Sequence, residues 1–409
     1  MTDPREGYLE QIRQSGVTLS PGLAAAFAAV PREVFVPDGF HRRDGTWVAP
    51  TDPDFRAMVY RDDVLVTKMD GPVAVSSSSQ PSLMAIMIEA LAVRPGSRVL
   101  EVGAGTGYNA ALLATLGAAV TSIDVQADVA DRARAALARA GVSGVRVEQA
   151  DGYAGVPGER FDRVIVTVGV AGVSPHWLDQ LDPDGFVVAP ILHAGMHPVL
   201  AVRSANGGPA NGGPANGGPA NGGPANGGPA NGGSPTGRVV CGAGFMSAAG
   251  PLNARHAGSF PRPAGPLDGL AEHAPARFDP PLEPGAYRDL WYAAGAWDRR
   301  ASHAVVPGRE PTDRNGPRPE NTYLALLGPD RTAPPGPDQA GPPGPARSAA
   351  VILTDGGVLA TGGEIGNAAV ALVDRWVAAG RPPMEAWQVG LARTADPAGP
   401  IWAPDSWSL

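Results

Sequence analysis

Two stretches of the chain carry residue types that do chemistry. The first is LEVGAGTGY, Leu100 to Tyr108, which sets Gly103, Gly105 and Gly107 at every second position between a strand-like run and a helix-like one. Glycines there let the backbone turn tightly and present N–H groups to a ligand at a helix start. A dinucleotide fingerprint needs glycine three places after its second glycine, where Tyr108 stands instead. Together with Glu101 in the strand, this favours S-adenosylmethionine over NAD. Asp124 ends the next strand, where it would hold the ribose hydroxyls. Asp151, followed by Gly152 after the third strand, is placed to accept from an adenine amino group.

The second stretch is SSSSQP, Ser76 to Pro81, which opens the apolar run PSLMAIMIEALAV. Small hydroxyls in front of a core helix point to an anion site, because a helix start carries unpaired N–H groups and partial positive charge. A carboxylate suits such a place.

The elements around these stretches alternate. PSLMAIMIEALAV reads as a helix, RVLEVG as a strand, YNAALLATLG as a helix, AVTSIDV as a strand and ADVADRARAALARAG as a helix. VRVEQAD, FDRVIVTVG and FVVAPIL read as further strands. This pattern predicts an α/β fold with a parallel sheet and helices on both faces. Thr167 and Val168 fall at the sheet's carboxyl edge, where ligands bind in such folds. VLAVRS and RVVCGAGF read as a strand pair, separated by ANGG repeated six times at a period of five. That repeat is expected to be a disordered loop over 205–235. The expected boundaries are a helical and loop region at 1–75, a catalytic domain at 76–250 and a smaller α+β domain at 251–409. The last holds a Pro/Gly-rich loop at 329–348. Trp291, Trp297, Trp376 and Trp387 read as its core.

Composition narrows the function classes. The net charge is −8 and no basic run stands out, which disfavours a nucleic-acid partner. No apolar stretch is long enough to span a membrane. Cys241 is the single cysteine, so an intramolecular disulfide and a cysteine-cluster metal site are excluded. His176, His193 and His197 lack acidic or cysteine partners at ligand spacing, so no metal is expected and these histidines read as solvated or capping. The polar, acidic N-terminus does not read as a signal peptide, and a cytoplasmic location is expected.

VPREVFVPD, YRDD, SSSSQPSLMA and LEVGAGTGYNAALLA, in that order, resemble the protein-L-isoaspartate O-methyltransferases. ADGYAG, FDRVIVTVG and SPHWLDQLDPDG continue the resemblance, over roughly residues 20–250. It implies a Rossmann-like sheet that binds S-adenosylmethionine through Glu101, Gly103, Gly105, Gly107, Asp124, Asp151 and Gly152. The family's TISQP loop falls on Ser77, Ser78, Ser79 and Gln80, which makes Ser79 the implied active-site serine. Ser77, Ser78, Gln80, Thr167 and Val168 then become substrate contacts. Tyr60 and Asp62 also match, with a structural loop role as plausible as substrate contact. The serine-rich loop and C-terminal extension look like the branch that methylates a normal L-aspartate in cyclised ribosomal peptides, giving a succinimide. Repair of isoaspartate in damaged proteins is the alternative, and a silent peptide-binding module is a third class.

Overall fold

Residues 1–75, expected as helices and loops, contain a small sheet as well. In the computed structural model, β1 (Phe40–His41), β2 (Trp47–Val48), β3 (Leu65–Asp70) and β4 (Val73–Ser78) pair in the order β2-β1-β3-β4. The described residues are 5, 7–204, 233–253, 259–306, 322–328, 348–395 and 399–409. The ANGG repeats at 205–232 lie outside them, as does nearly all of the Pro/Gly-rich stretch.

The alternating elements form the expected sheet. β5 (Arg98–Val102), β6 (Ala119–Asp124), β7 (Val145–Gln149), β8 (Phe161–Val166) and the start of β9 (Leu181–Pro190) run parallel, and β10 (Val199–Arg203) and β11 (Thr236–Cys241) add antiparallel. A separate sheet follows from β12 (Ala264–Pro266), β13 (Ala271–Ala274), β14 (Ala301–Val305), β15 (Thr322–Leu327), β16 (Ala349–Ile352) and β17 (Val358–Ala360). Helices Pro284–Trp297 and Gly363–Ala378 accompany it. The chain then returns. β18 (Gln388–Arg393) pairs with β11, and β19 (Trp402–Ser408) pairs with β18, completing a nine-stranded sheet. A boundary at residue 250 therefore does not separate two independent sheets.

Strand alternation divides the core, because successive side chains point to opposite faces. Val99, Val120, Ile165 and Val188 face the layer formed by the N-terminal region and helices Pro81–Leu91, Tyr108–Thr115 and Ala127–Arg139. Leu100, Val102, Val164, Val166 and Val187 face the other way, toward buried Trp177 and the C-terminal layer. That layer is stitched on by polar bonds. Trp291 Nε1 donates to Ala194 O, and the His193 ring bonds Tyr292 O through Nε2, both at 2.8 Å. His193 also stacks on the Tyr292 ring, with centroids 4.2 Å apart, so it is core and not solvated. Gly295 permits this approach, since a Cβ there would sit 2.5 Å from His193 Nε2. Trp291, Trp376 and Trp387 are buried as expected, while Trp297 is only half-buried.

Removing Gln388–Leu409 should leave β11 as an unpaired edge beside β10 and open the shared core. The shortened chain is expected to melt at least about 10 °C lower, or to lose its cooperative transition, in thermal unfolding followed by circular dichroism. An unchanged midpoint would show that the two strands are only an appendage.

Candidate active site

The row of serines is a strand end, and the period of a strand explains it. Ser76 and Ser78 point inward and are buried, while Ser77 and Ser79 are only partly so. Ser76 Oγ accepts from Thr67 Oγ1 at 3.4 Å, and Ser78 Oγ accepts from Arg32 Nε at 3.4 Å. Ser77 and Ser79 line a cavity of about 950 Å³, and neither hydroxyl has a hydrogen-bond partner among the described residues. Ser78 does not line that cavity. Its expected contact with substrate is therefore replaced by one with the scaffold.

The scaffold centres on Arg32 in the VPREVFVPD stretch, which the sequence reading did not single out. Its side chain is fully buried and donates to the carbonyls of Val59, Arg61, Asp63 and Ser79 at 2.9–3.0 Å, with Ser78 O at 3.4 Å. One guanidinium thus ties the YRDD segment to the end of the serine row. Its planar fork is suited to several acceptors at once. The signal for it lay in the sequence only as an arginine inside an apolar motif.

The start of helix Pro81–Leu91 differs from expectation. Its N-cap is Gln80, with no side-chain cap, so Ser79 is not the cap. Ser82 N–H donates to Asp62 Oδ1 at 2.7 Å, and Asp62 Oδ2 accepts from Gln80 Nε2 at 3.0 Å and Ser15 Oγ at 2.8 Å. The protein's own carboxylate takes the place at the helix start that was expected for the substrate's. Asp62 has the structural role. Gln80, with its amide held by Asp62 and Arg43, lines the large cavity as a fixed group.

A smaller cleft of about 60 Å³ lies behind the serines and holds Glu101, Gly103, Gly105, Asp124, Thr167 and Val168 in its wall. Gly103, Gly105 and Gly107 all have positive φ. A Cβ on Gly103 would lie 2.7 Å from Thr167 Oγ1 and 3.1 Å from Val168 Cγ1, and one on Gly105 would lie 3.0 Å from Ser77 O. The Thr167 hydroxyl donates to Gly103 O at 2.6 Å, so it braces the glycine turn and its hydrogen is not available to a substrate. Asp124 accepts from Gly105 N at 3.2 Å and Gln126 N at 3.0 Å, and burial holds its pKa above the usual carboxylate value. Gly107, Asp151 and Gly152 do not line this cleft. Gly107 starts helix Tyr108–Thr115, Asp151 is an exposed turn residue bonded to Tyr153 N, and Gly152 O accepts from Trp177 Nε1.

Glu101 is fully buried and accepts from Asn109 Nδ2 at 2.7 Å and Ser122 Oγ at 2.5 Å. Burial pushes its pKa up to about 7 despite these bonds. The two cavities meet at Ser77, Ser79, Thr167 and Met246. The hydroxyls of Ser77 and Ser79 thus stand where the two cavities join.

Comparison with known proteins decides what this arrangement is. A family model described as protein-L-isoaspartate(D-aspartate) O-methyltransferase matches residues 4–209. A protein-L-isoaspartate O-methyltransferase of Methanoculleus marisnigri is 38% identical over 46% of this chain and 76% of its own length. One from Rhodopseudomonas palustris is 39% identical over 46% of this chain and 78% of its own. The chain belongs to this family. It is an S-adenosylmethionine-dependent carboxyl methyltransferase. A solved protein-L-isoaspartate O-methyltransferase covers 98% of the methyltransferase chain at 21% identity, with a TM-score of 0.47. Another, from Plasmodium falciparum and in complex with S-adenosyl-L-homocysteine, covers 50% at 15% identity and a TM-score of 0.40.

The cleft fits the methyl donor in chemistry: a glycine turn, a strand-end carboxylate and a buried acid. As it stands it is smaller than the donor. β4 lies over it, held by Gln126 Nε2 donating to Val75 O at 3.0 Å.

Two outcomes follow for the methyltransferase. Arg32→Leu should cost about 3 kcal/mol or more in urea unfolding, because it leaves buried carbonyls unpaired, and Arg32→Lys should recover only part of it. A loss under 1 kcal/mol would mean that the guanidinium is not the tie. For Glu101 the folded pKa is raised, so its stabilisation is complete below pH 4.5 and is lost as pH rises through about 7. Relative to the native chain, Glu101→Gln should therefore gain up to about 3 kcal/mol between those limits in the donor-free protein. A difference that does not change with pH would refute the shift.

Proposed function

We propose that the enzyme methylates the side-chain carboxylate of an ordinary L-aspartate in a cyclised, ribosomally made peptide. The ester would then close on the following backbone nitrogen to a succinimide, releasing methanol. The observation that carries this reading is the second wall of the large cavity. Phe260, Arg262, Arg288, Trp291 and His303 line it together with Ser77 and Ser79, and all five lie beyond the residues matched by the family model. An enzyme choosing one common carboxylate must gather binding energy away from the reacting atoms. Such a wall supplies it.

In this reading the donor, when bound, supplies a methyl group on a positively charged sulfur. Asp124 would hold the ribose, and Gly103 and Gly105 would let the backbone approach. Ser77 and Ser79 would donate to the substrate carboxylate and orient one oxygen toward the small cleft. The carboxylate loses its charge as the ester forms, so the apolar surroundings of Leu83, Phe245 and Met246 favour the step by excluding water. No proton is removed in the transfer, and none of these residues is asked to act as a base.

Repair of isoaspartyl residues is the second reading, and the names of the relatives favour it. The two separate in one assay of the full enzyme with isotope-labelled donor. The substrates are matched peptides with aspartate or isoaspartate, each linear and as a backbone macrocycle. Label on the cyclic aspartyl peptide, followed by methanol loss in mass spectrometry, is the expected result. Label confined to linear isoaspartyl peptides would replace the first reading with repair, and label on none would overturn both. With the accepted substrate, Ser79→Ala should slow single-turnover transfer about tenfold, the worth of one hydrogen bond, with cofactor affinity within about twofold. Normal turnover would remove Ser79 from the site.

A further inference from the structure

The large cavity has a sign. Arg43, Arg262 and Arg288 line it together with His197 and His303, and no aspartate or glutamate lies in its wall among the described residues. The chain as a whole holds 40 acidic against 32 basic residues, so this wall runs against its composition. The charges are not equal in availability. Arg43 bonds Asp63 Oδ1 and Gln80 Oε1, which leaves it largely neutralised. Arg288 lies beside Asp289 and Glu385, which stand behind the wall. Arg262 is exposed and makes no hydrogen bond or ion pair among the described residues. His197 adds no charge at neutral pH, since burial lowers its pKa to about 4. The positive charge that remains is therefore carried by Arg262 and Arg288, in the C-terminal part of the wall.

At about 950 Å³ the cavity is near the upper end of the range for small-molecule pockets, about 300–1,000 Å³, so it admits several residues of a peptide. With the reacting carboxylate assigned to Ser77 and Ser79, the arginines of the same cavity are left to meet a second group. We propose that the peptide accepted here carries at least one further carboxylate, within a few residues of the methylated one, which seats against Arg262 and Arg288. The substrate class is thus an acidic peptide segment. Phe260 and Trp291 beside the two arginines give its apolar neighbours a surface. This deepens the function proposed above and rests on it for the placement of the reacting group.

The test separates binding from chemistry. Eight-residue backbone macrocycles with one aspartate, and linear eight-residue peptides with one isoaspartate, are made with two flanking glutamates or with glutamines in their place. Binding to the full chain loaded with S-adenosylhomocysteine is read by fluorescence anisotropy, and methylation by label transfer. The glutamate peptides should bind at least tenfold more tightly. That gap should shrink at least threefold in Arg262→Gln, in Arg288→Gln and on raising salt to about 0.5 M. Thermal midpoints of both variants are measured alongside, and the exposed Arg262 supplies the variant that keeps the fold. Equal binding of the twins, a gap that survives in both variants, or no binding of either twin overturns the proposal. Tight binding of the acidic peptide without methylation would instead leave the charge preference standing and defeat the proposed reaction. Methylation of both twins with equal binding does the reverse.

Discussion

A single buried guanidinium organises the catalytic half of this enzyme. Arg32 holds the carbonyls at Val59, Arg61 and Asp63 against those at Ser78 and Ser79, and its guanidinium lies 5.8 Å from the Tyr108 ring centroid. Carbonyls buried without a donor cost free energy comparable to a lost hydrogen bond each, and here one side chain satisfies five. The loop that presents Ser79 therefore has little freedom to move unless Arg32 moves with it. Asp62, on the same bound segment, caps the helix that follows. Loop position and helix start are set by one network.

The rest of the site follows from period and sterics. In β4 every second serine faces the interior, which leaves Ser77 and, just past its end, Ser79 for the cavity. Across from them the glycine turn is pinned by Thr167, which occupies the space a Gly103 side chain would need. Glu101 sits beneath, held by Asn109 and Ser122, so the strand, the helix start and the neighbouring strand are joined below the cleft. Burying an acid there carries an electrostatic cost, visible in its raised pKa.

The C-terminal layer makes the site a two-walled one. Its helix Pro284–Trp297 docks on the hairpin around His193–Met196 through Trp291 and Tyr292, and the final two strands return to the catalytic sheet. Both walls of the large cavity are thus parts of one packed body.

Much of this was legible in the sequence. The alternation of apolar strands and amphipathic helices fixed the order of the sheet elements, since burial on both faces requires it. The glycine spacing marked a tight turn, because few residue types tolerate those backbone angles, and Asp124 lies in the same cleft as Gly103 and Gly105. What tertiary structure alone decided was the partner of each polar group. Four serines in a row do not say which two face a cavity until the pairing of β4 with β3 fixes the phase. A helix start does not reveal that Asp62, from a distant loop, already occupies it. Asp151 and Gly152 follow a strand as a ligand site would, and only the structure shows their local partners, Tyr153 N and Trp177 Nε1. The return of the last strands to the first sheet depends on hydrogen bonds between residues about 150 apart in the chain, a separation that local sequence pattern does not encode.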